Sequence, residues 1–323
     1  MNVTGTRLPW HLSGERDSKP AMTDQPIPKN EDSLRGFFFA LTAYLLWGFL
    51  PLYMKAVAHI TPAEVIAHRV IWSLPIAGAV LLWLGRTADL KVALRSPRTL
   101  GMAAMTAALI SVNWGIYVWS IGSGHALDAA LGYYINPLFS VALGALLLGE
   151  RLSGLQKLAI ALAAFAVLIL TWEAGKVPVV ALSLTLTWGI YAYLKKSLPV
   201  GPNQGFFLEV LLLFIPAVAW VVWLALKGEG HFFAGNGTDT LLLLGCGVVT
   251  AVPLMVYANG AKLLKLSTIG IMQYIAPTMI FLTAVFLFGE PFDRARMIAF
   301  PIIWLALILY TFSLIQQARA AGK

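Results

Sequence analysis

The chain is written in apolar blocks of about twenty residues, the length at which an α-helix crosses the hydrocarbon core of a bilayer. Of its 323 residues, 59% are hydrophobic and 12% charged, and the mean hydropathy is +0.77. A soluble domain carries about twice that charge, so too few polar residues are present to face water all round. The blocks are continuous rather than short and alternating, which excludes a membrane β-barrel. The fold class is therefore an all-α polytopic membrane protein whose first partner is the lipid bilayer. The net charge of +8 does not require nucleic acid, because basic residues in loops set membrane orientation. The lone Cys246 lies in an apolar block and has no second cysteine to pair with.

Ten spans are expected, near 36–56, 66–84, 100–121, 129–148, 155–172, 178–196, 205–226, 239–261, 267–288 and 296–316. Residues 1–34 are polar, rich in Pro and Gly, and lack a helical period; a disordered cytoplasmic tail is expected there. A signal peptide is not, since the apolar run begins only near Gly36 and no small-residue cleavage pattern follows. With a cytoplasmic N-terminus, seventeen of the 23 Lys and Arg fall on inner segments and six on outer loops. That bias predicts both termini on the inside.

The chain also repeats itself. GYYINPLFSVALGALLLGE, Gly132 to Glu150, returns 140 residues later as MQYIAPTMIFLTAVFLFGE, Met272 to Glu290. Leu46-Trp47-Gly48 is echoed by Thr187-Trp188-Gly189, Pro75 by Pro216, and Tyr117 by Tyr257, at offsets of 140 or 141. Two units are expected, 35–175 and 176–318, with a short tail over 319–323. Each holds five spans. Five is odd, so the second unit enters the membrane from the opposite side: an inverted repeat, the architecture of carriers that open to either face in turn. Pro137 and Pro277 are expected to kink spans 4 and 9, each removing a backbone donor and freeing a carbonyl. Gly149-Glu150 and Gly289-Glu290 are expected to end those spans, with each Glu at the start of the following helix.

Polar and aromatic side chains inside apolar spans are the best pointers to a cavity. The candidates for substrate contact are Trp47, Trp72, Asn113, Trp114, Tyr117, Tyr134, Asn136, Tyr257, Asn259, Gln273 and Tyr274, with Tyr44 and Tyr191 in the same pattern. Trp47, Asn113, Tyr117, Asn136, Tyr257 and Gln273 are expected to converge near the midplane. For each aromatic the alternative is an interfacial belt or packing against lipid; for each carboxamide it is a partner on another helix. The set is neutral and aromatic and suits a small amphipathic or zwitterionic solute. His68, Arg69, Asp128 and Glu209 are candidates for gating or coupling. Asp128 reads most simply as the cap of span 4, three residues from His125. His68 and Glu209 are repeat mates, and Glu64 lies one turn before His68 and is expected to pair with it. Glu209 is either an anchor neutralised by Lys195 or Lys196, or a carboxylate linked to a proton. Catalytic constellations, a metal cluster, a cofactor motif and the phosphate loop of an ATP-driven pump are all missing from the sequence, so an enzyme is not expected.

His68-Arg69-Val70-Ile71-Trp72-Ser73, Asn113-Trp114, His125-Ala126-Leu127-Asp128-Ala129, Leu131-Gly132-Tyr133-Tyr134-Ile135-Asn136-Pro137-Leu138, Gly149-Glu150-Arg151 and Gln273-Tyr274-Ile275-Ala276-Pro277-Thr278 resemble the RarD branch of the EamA-type drug/metabolite transporters. The resemblance covers roughly 35 to 318. Where that branch usually has Glu-Ala-Ser-Leu-Gly, this chain has Asp128-Ala129-Ala130-Leu131-Gly132. The resemblance implies a ten-helix permease of the bacterial inner membrane with two EamA repeats and relatives that export amino acids and other small metabolites. The expectation is a secondary carrier exporting a small organic solute, with a channel, an embedded enzyme or a receptor as the rivals.

Overall fold

A computed structural model describes residues 33–85, 87–148, 152–261, 263–264, 268–269 and 272–321. The expected tail, all but its last two residues, lies outside the described residues, as do Gly149 and Glu150. Helices α1 (Leu34–Ala56), α2 (Pro62–Trp83), α3 (Ala88–Leu94), α4 (Pro97–Gly122), α5 (Ala126–Leu148) and α6 (Gly154–Ala174) come first. They are followed by α7 (Val179–Lys196), α8 (Pro202–Lys227), α9 (Gly237–Ala261), α10 (Ile275–Leu282) and α11 (Arg294–Ala321).

Several helices start earlier than apolarity alone suggests. Thr61 accepts from the Glu64 amide at 3.4 Å and Ser96 from the Thr99 amide at 3.3 Å, and each is followed by a proline at the first helical position. Proline costs nothing there, because that position has no intrahelical acceptor for an N–H. The polar first turn is helical although it does not look like membrane. The seven-residue α3, in the segment expected as a plain inner loop, was not anticipated.

Eight helices are long and apolar enough to cross a membrane: α1, α2, α4, α5, α6, α8, α9 and α11. Two shorter apolar helices, Val179–Lys195 and Ile275–Leu287, complete the apolar set among the described residues. The second departs from the expected continuous span 9. Gln273 and Tyr274 form a turn, α10 begins at Ile275, and a π-helical segment, Thr283–Leu287, follows directly. Pro277 therefore sits in a first turn rather than at a mid-helix kink, which corrects the expectation: a proline is accommodated best where the helix has just begun. Pro137 does lie inside α5, and is buried.

The outside of the bundle is apolar all round, with Ile215, Leu226 and Phe286 among its exposed side chains. Inside, most packing joins the first five long helices to the last five: α1 with α9 and α10, α2 with α8 and α9, α4 with α7 and α8, α5 with α7 and α10, and α6 with α11. Small residues set the close crossings. A side chain at Gly48 would meet Met279, and one at Gly189 would meet Phe139. Those two contacts are counterparts at the repeat offset: 48 with 189, and 139 with 279.

Candidate functional site

Arg69 stands about 10 Å along α2 from Pro62, at 1.5 Å per residue, and only 3% of it is exposed. Its Nε donates to Thr250 Oγ1 of α9 at 2.9 Å, and Thr250 in turn donates to the Cys246 carbonyl at 2.7 Å. That second bond aims a lone pair of the hydroxyl at the guanidinium. The guanidinium carbon lies 4.5 Å from the ring centre of Trp114 on α4, a cation–π distance. Cys246, Tyr117 and Tyr133 stand close to it. Among the described residues no carboxylate lies within ion-pairing distance of Arg69, and its Nη1 has no hydrogen-bond partner. A buried charge without a counter-ion is costly, and folds retain one where it has work to do.

Four further buried polar atoms belong to the same half. His68 Nε2, Asn113 Oδ1, the Tyr117 hydroxyl and Asn136 Oδ1 have no partner among the described residues. Each such group costs about 1–3 kcal/mol. Trp114 and Tyr117, and Tyr133 and Asn136, are each one helical turn apart, and the Tyr117 and Tyr133 rings lie 5.7 Å apart across the α4–α5 interface. His68 accepts from Trp72 Nε1 through Nδ1 at 3.0 Å, with Phe232 4.7 Å from its ring. In the neutral ring this leaves the proton on Nε2.

The six residues expected to converge make different contacts. None is exposed. Trp47 and Tyr257 meet at 5.4 Å and share Tyr44, forming an aromatic trio between α1 and α9. Asn113 reaches across to α7, donating to the Leu184 carbonyl at 3.1 Å and Thr187 Oγ1 at 2.9 Å. Asn259 donates within its own helix to Met255. Half-buried Gln273 stands in the turn before α10. Tyr134 is bonded to Thr278 at 2.8 Å, and with Tyr274 it lines a cavity of about 550 Å³. That cavity does not contain Arg69; its walls include Ile308 and Phe312, which are exposed on the apolar exterior.

Two charge assignments change. Asp128 does not cap α5: the helix begins at Ala126, and Asp128 lies in its first turn, 3.0 Å from Arg296 and 3.3 Å from His125. The cap is Glu290, which accepts from the amides of Ala126 at 2.7 Å and Leu127 at 2.9 Å. The dipole argument for a Glu after Gly289 holds, but the helix it serves is one packed beside it rather than the next in sequence. Likewise Glu64 pairs with His231, through the ring at 2.8 Å and the backbone amide at 2.7 Å, and not with His68. Glu209, for its part, meets Lys195 at 2.6 Å and Tyr191 at 3.3 Å. Sequence reading missed Thr250, Tyr133 and Cys246 as neighbours of Arg69, since a lone Thr or Cys in an apolar block carries no distinguishing signal.

Residues 34–172 match the EamA-like transporter family. A Vibrio cholerae protein described as an uncharacterized transporter is 41% identical over 92% of this chain and 98% of its own. Proteins named RarD from Streptomyces exfoliatus and Escherichia coli are 39% and 35% identical, covering 88% and 90% of this chain and 90% and 98% of theirs. A solved crystal structure is similar over 86% of this chain and 98% of its own, with a TM-score of 0.58 and 19% identity, a likeness of fold alone. With relatives this close along nearly its whole length, the chain belongs to the RarD branch of the EamA-like transporter family.

Proposed function

We propose that the protein is a secondary carrier that exports a small organic solute across the bacterial inner membrane by alternating access. In this reading α1, α2, α4, α5 and α6 form one five-span repeat over 35–175. Helices α7, α8, α9, α10 and α11 form the inverted second over 176–318. The observation that carries it is the exchange of packing partners. Swapping the two sets in order turns the α1–α9 pair into α7–α4, α1–α10 into α7–α5 and α2–α9 into α8–α4. The pairs α2–α8, α5–α10 and α6–α11 map onto themselves. Two halves related in this way can trade conformations, which is what opening to alternate faces requires. The match to a transporter family and a relative described as a transporter support this reading.

Links between the two halves that use charged side chains gather on one face: His59 with Asp239 at 2.9 Å, Glu64 with His231, Asp128 with Arg296, and Glu290 with the start of α5. In the orientation favoured by the Lys and Arg bias this is the outer face, and the links hold it closed.

Purified protein in proteoliposomes, screened against labelled amino acids and antibiotics, tests the carrier reading. Preloading with the unlabelled solute should accelerate entry of the label, and the rate should saturate. Uptake that is linear in concentration and indifferent to preloading would mark a channel instead. The orientation is tested separately with C-terminal fusions: a fluorescent reporter that matures only in the cytoplasm should light up, and a phosphatase active only in the periplasm should stay silent. The opposite pair of results would reverse the topology.

A further inference from the structure

We propose that Arg69 is the anchor for the anionic group of the transported solute, and that the solute is a small monocarboxylate with an apolar or aromatic body. This deepens the carrier reading and rests on it. The guanidinium is buried where α2, α4, α5 and α9 meet, with one of its nitrogens spent on Thr250 and Nη1 unoccupied by any described residue. The positive charge has no carboxylate partner among the described residues, so one negative charge on a ligand would neutralise it. A planar carboxylate matches the donor geometry of a guanidinium and accepts from two of its N–H groups at once.

The surroundings select the rest of the molecule. Trp114 covers one face of the guanidinium, while Tyr117 and Tyr133 pack against each other, ring centres 5.7 Å apart, and present one aromatic surface. Cys246 contributes a small apolar surface with no exposure. The Tyr117 hydroxyl, lacking a described partner, is a second donor for the same anion or for a polar substituent. Among the described residues, the buried and half-buried acids are committed elsewhere: Glu64 to His231, Asp239 to His59, Glu209 to Lys195, Asp128 to Arg296 and Glu290 to α5. A dication or a polyanion therefore finds no matching charges beside Arg69.

Binding is measured on the full-length protein in detergent, from the thermal unfolding midpoint and tryptophan fluorescence. The probes are benzoate, phenylacetate and butyrate, with neutral benzamide and cationic benzylamine as controls at equal concentration and ionic strength. The acids should raise the midpoint and perturb the fluorescence, and the controls should do neither. In Arg69→Gln the acid-dependent shift should disappear, with affinity down at least about tenfold, the usual consequence of deleting a charge-assisted hydrogen bond. Arg69→Lys should retain a weaker shift. Without ligand, Arg69→Gln should melt no lower than the parent, because it removes an uncompensated buried charge; a merely structural arginine would show the reverse. Should that variant fail to fold, Tyr117→Phe, which deletes only an unpartnered hydroxyl, should weaken the acids and leave the ligand-free midpoint in place. The proposal is overturned if no acid shifts the parent, if benzamide shifts it equally, or if Arg69→Gln keeps the shift. Acid binding without counterflow would retain the anion site and sink the carrier. Counterflow of uncharged solutes with no acid binding would do the opposite.

Discussion

Gly247→Ala should destabilise the protein by about 3 kcal/mol, the upper end of the usual cost of overpacking, although it adds one methyl group. A Cβ at Gly247 would lie 2.4 Å from the Trp72 carbonyl carbon and 2.5 Å from both its oxygen and its Cβ. Most of that obstruction is backbone, which has no rotamer to change. Helix α9 would have to move away from α2, and the Ser73 hydroxyl, 3.4 Å from the Gly247 carbonyl, would lose its contact. Thr250 is one turn along α9, so the same displacement would draw it off Arg69. The variant should therefore show both a lower melting midpoint and a lower transport rate per folded molecule. Gly48→Ala is the milder comparison: the added Cβ would meet only side-chain atoms of Met279, of which the sulfur and Cε can swing away and only the Cβ, 2.8 Å off, must shift with its helix. If Gly247→Ala proves no worse than Gly48→Ala, the α2–α9 crossing is looser than this geometry requires.

The second large effect belongs to the Lys195–Glu209 pair. Lys195 Nζ lies 2.6 Å from Glu209 Oε1, and the Glu209 side chain is 2% exposed against 20% for the lysine. Removing one partner of a buried pair costs about 3–5 kcal/mol, because the other charge is stranded. Since the stranded Glu209 keeps the Tyr191 hydroxyl as a donor at 3.3 Å, Lys195→Met is expected near the lower end, about 3 kcal/mol. Adding Glu209→Gln to Lys195→Met should recover most of the loss, since no charge is then left uncompensated. Gly205 makes room for this pair; a Cβ there would sit 3.2 Å from Lys195 Nζ. Because protonating Glu209 would strand Lys195, we favour the anchor role over the proton-linked one. Transport by Glu209→Gln, at matched protein levels, should then keep the pH dependence of the parent. A flattened pH profile in that variant would return Glu209 to the coupling machinery. Independent, additive losses in the double-mutant cycle would show that the pair is not coupled in stability.

The sequence by itself determined the solvent. Blocks of apolar residues with few charges can only be helices in a bilayer, because every backbone polar group must be satisfied within its own segment. It also determined the family, through blocks such as Gly132 to Pro137, and it predicted the internal echo, because an offset of 140 survives in one dimension. It marked Arg69, Trp114 and Tyr117 as unusual, since a polar or aromatic side chain in a span is legible without knowing its neighbours. Only the tertiary structure decided who those neighbours are. Glu290 caps α5 from 163 residues away at Leu127, and Thr250 meets Arg69 across 181. Residues that distant come together through helix crossings, and a crossing depends on shapes such as the notch at Gly247 that leave no periodic trace. The same holds for charge. Glu64 and His68 satisfy the one-turn rule for pairing, yet the loop before α9 delivers His231 to Glu64 with both a ring nitrogen and an amide. Two hydrogen bonds to a carboxylate prevail over one contact within a helix, because the carboxylate offers several lone pairs and only the incoming loop can fill more than one.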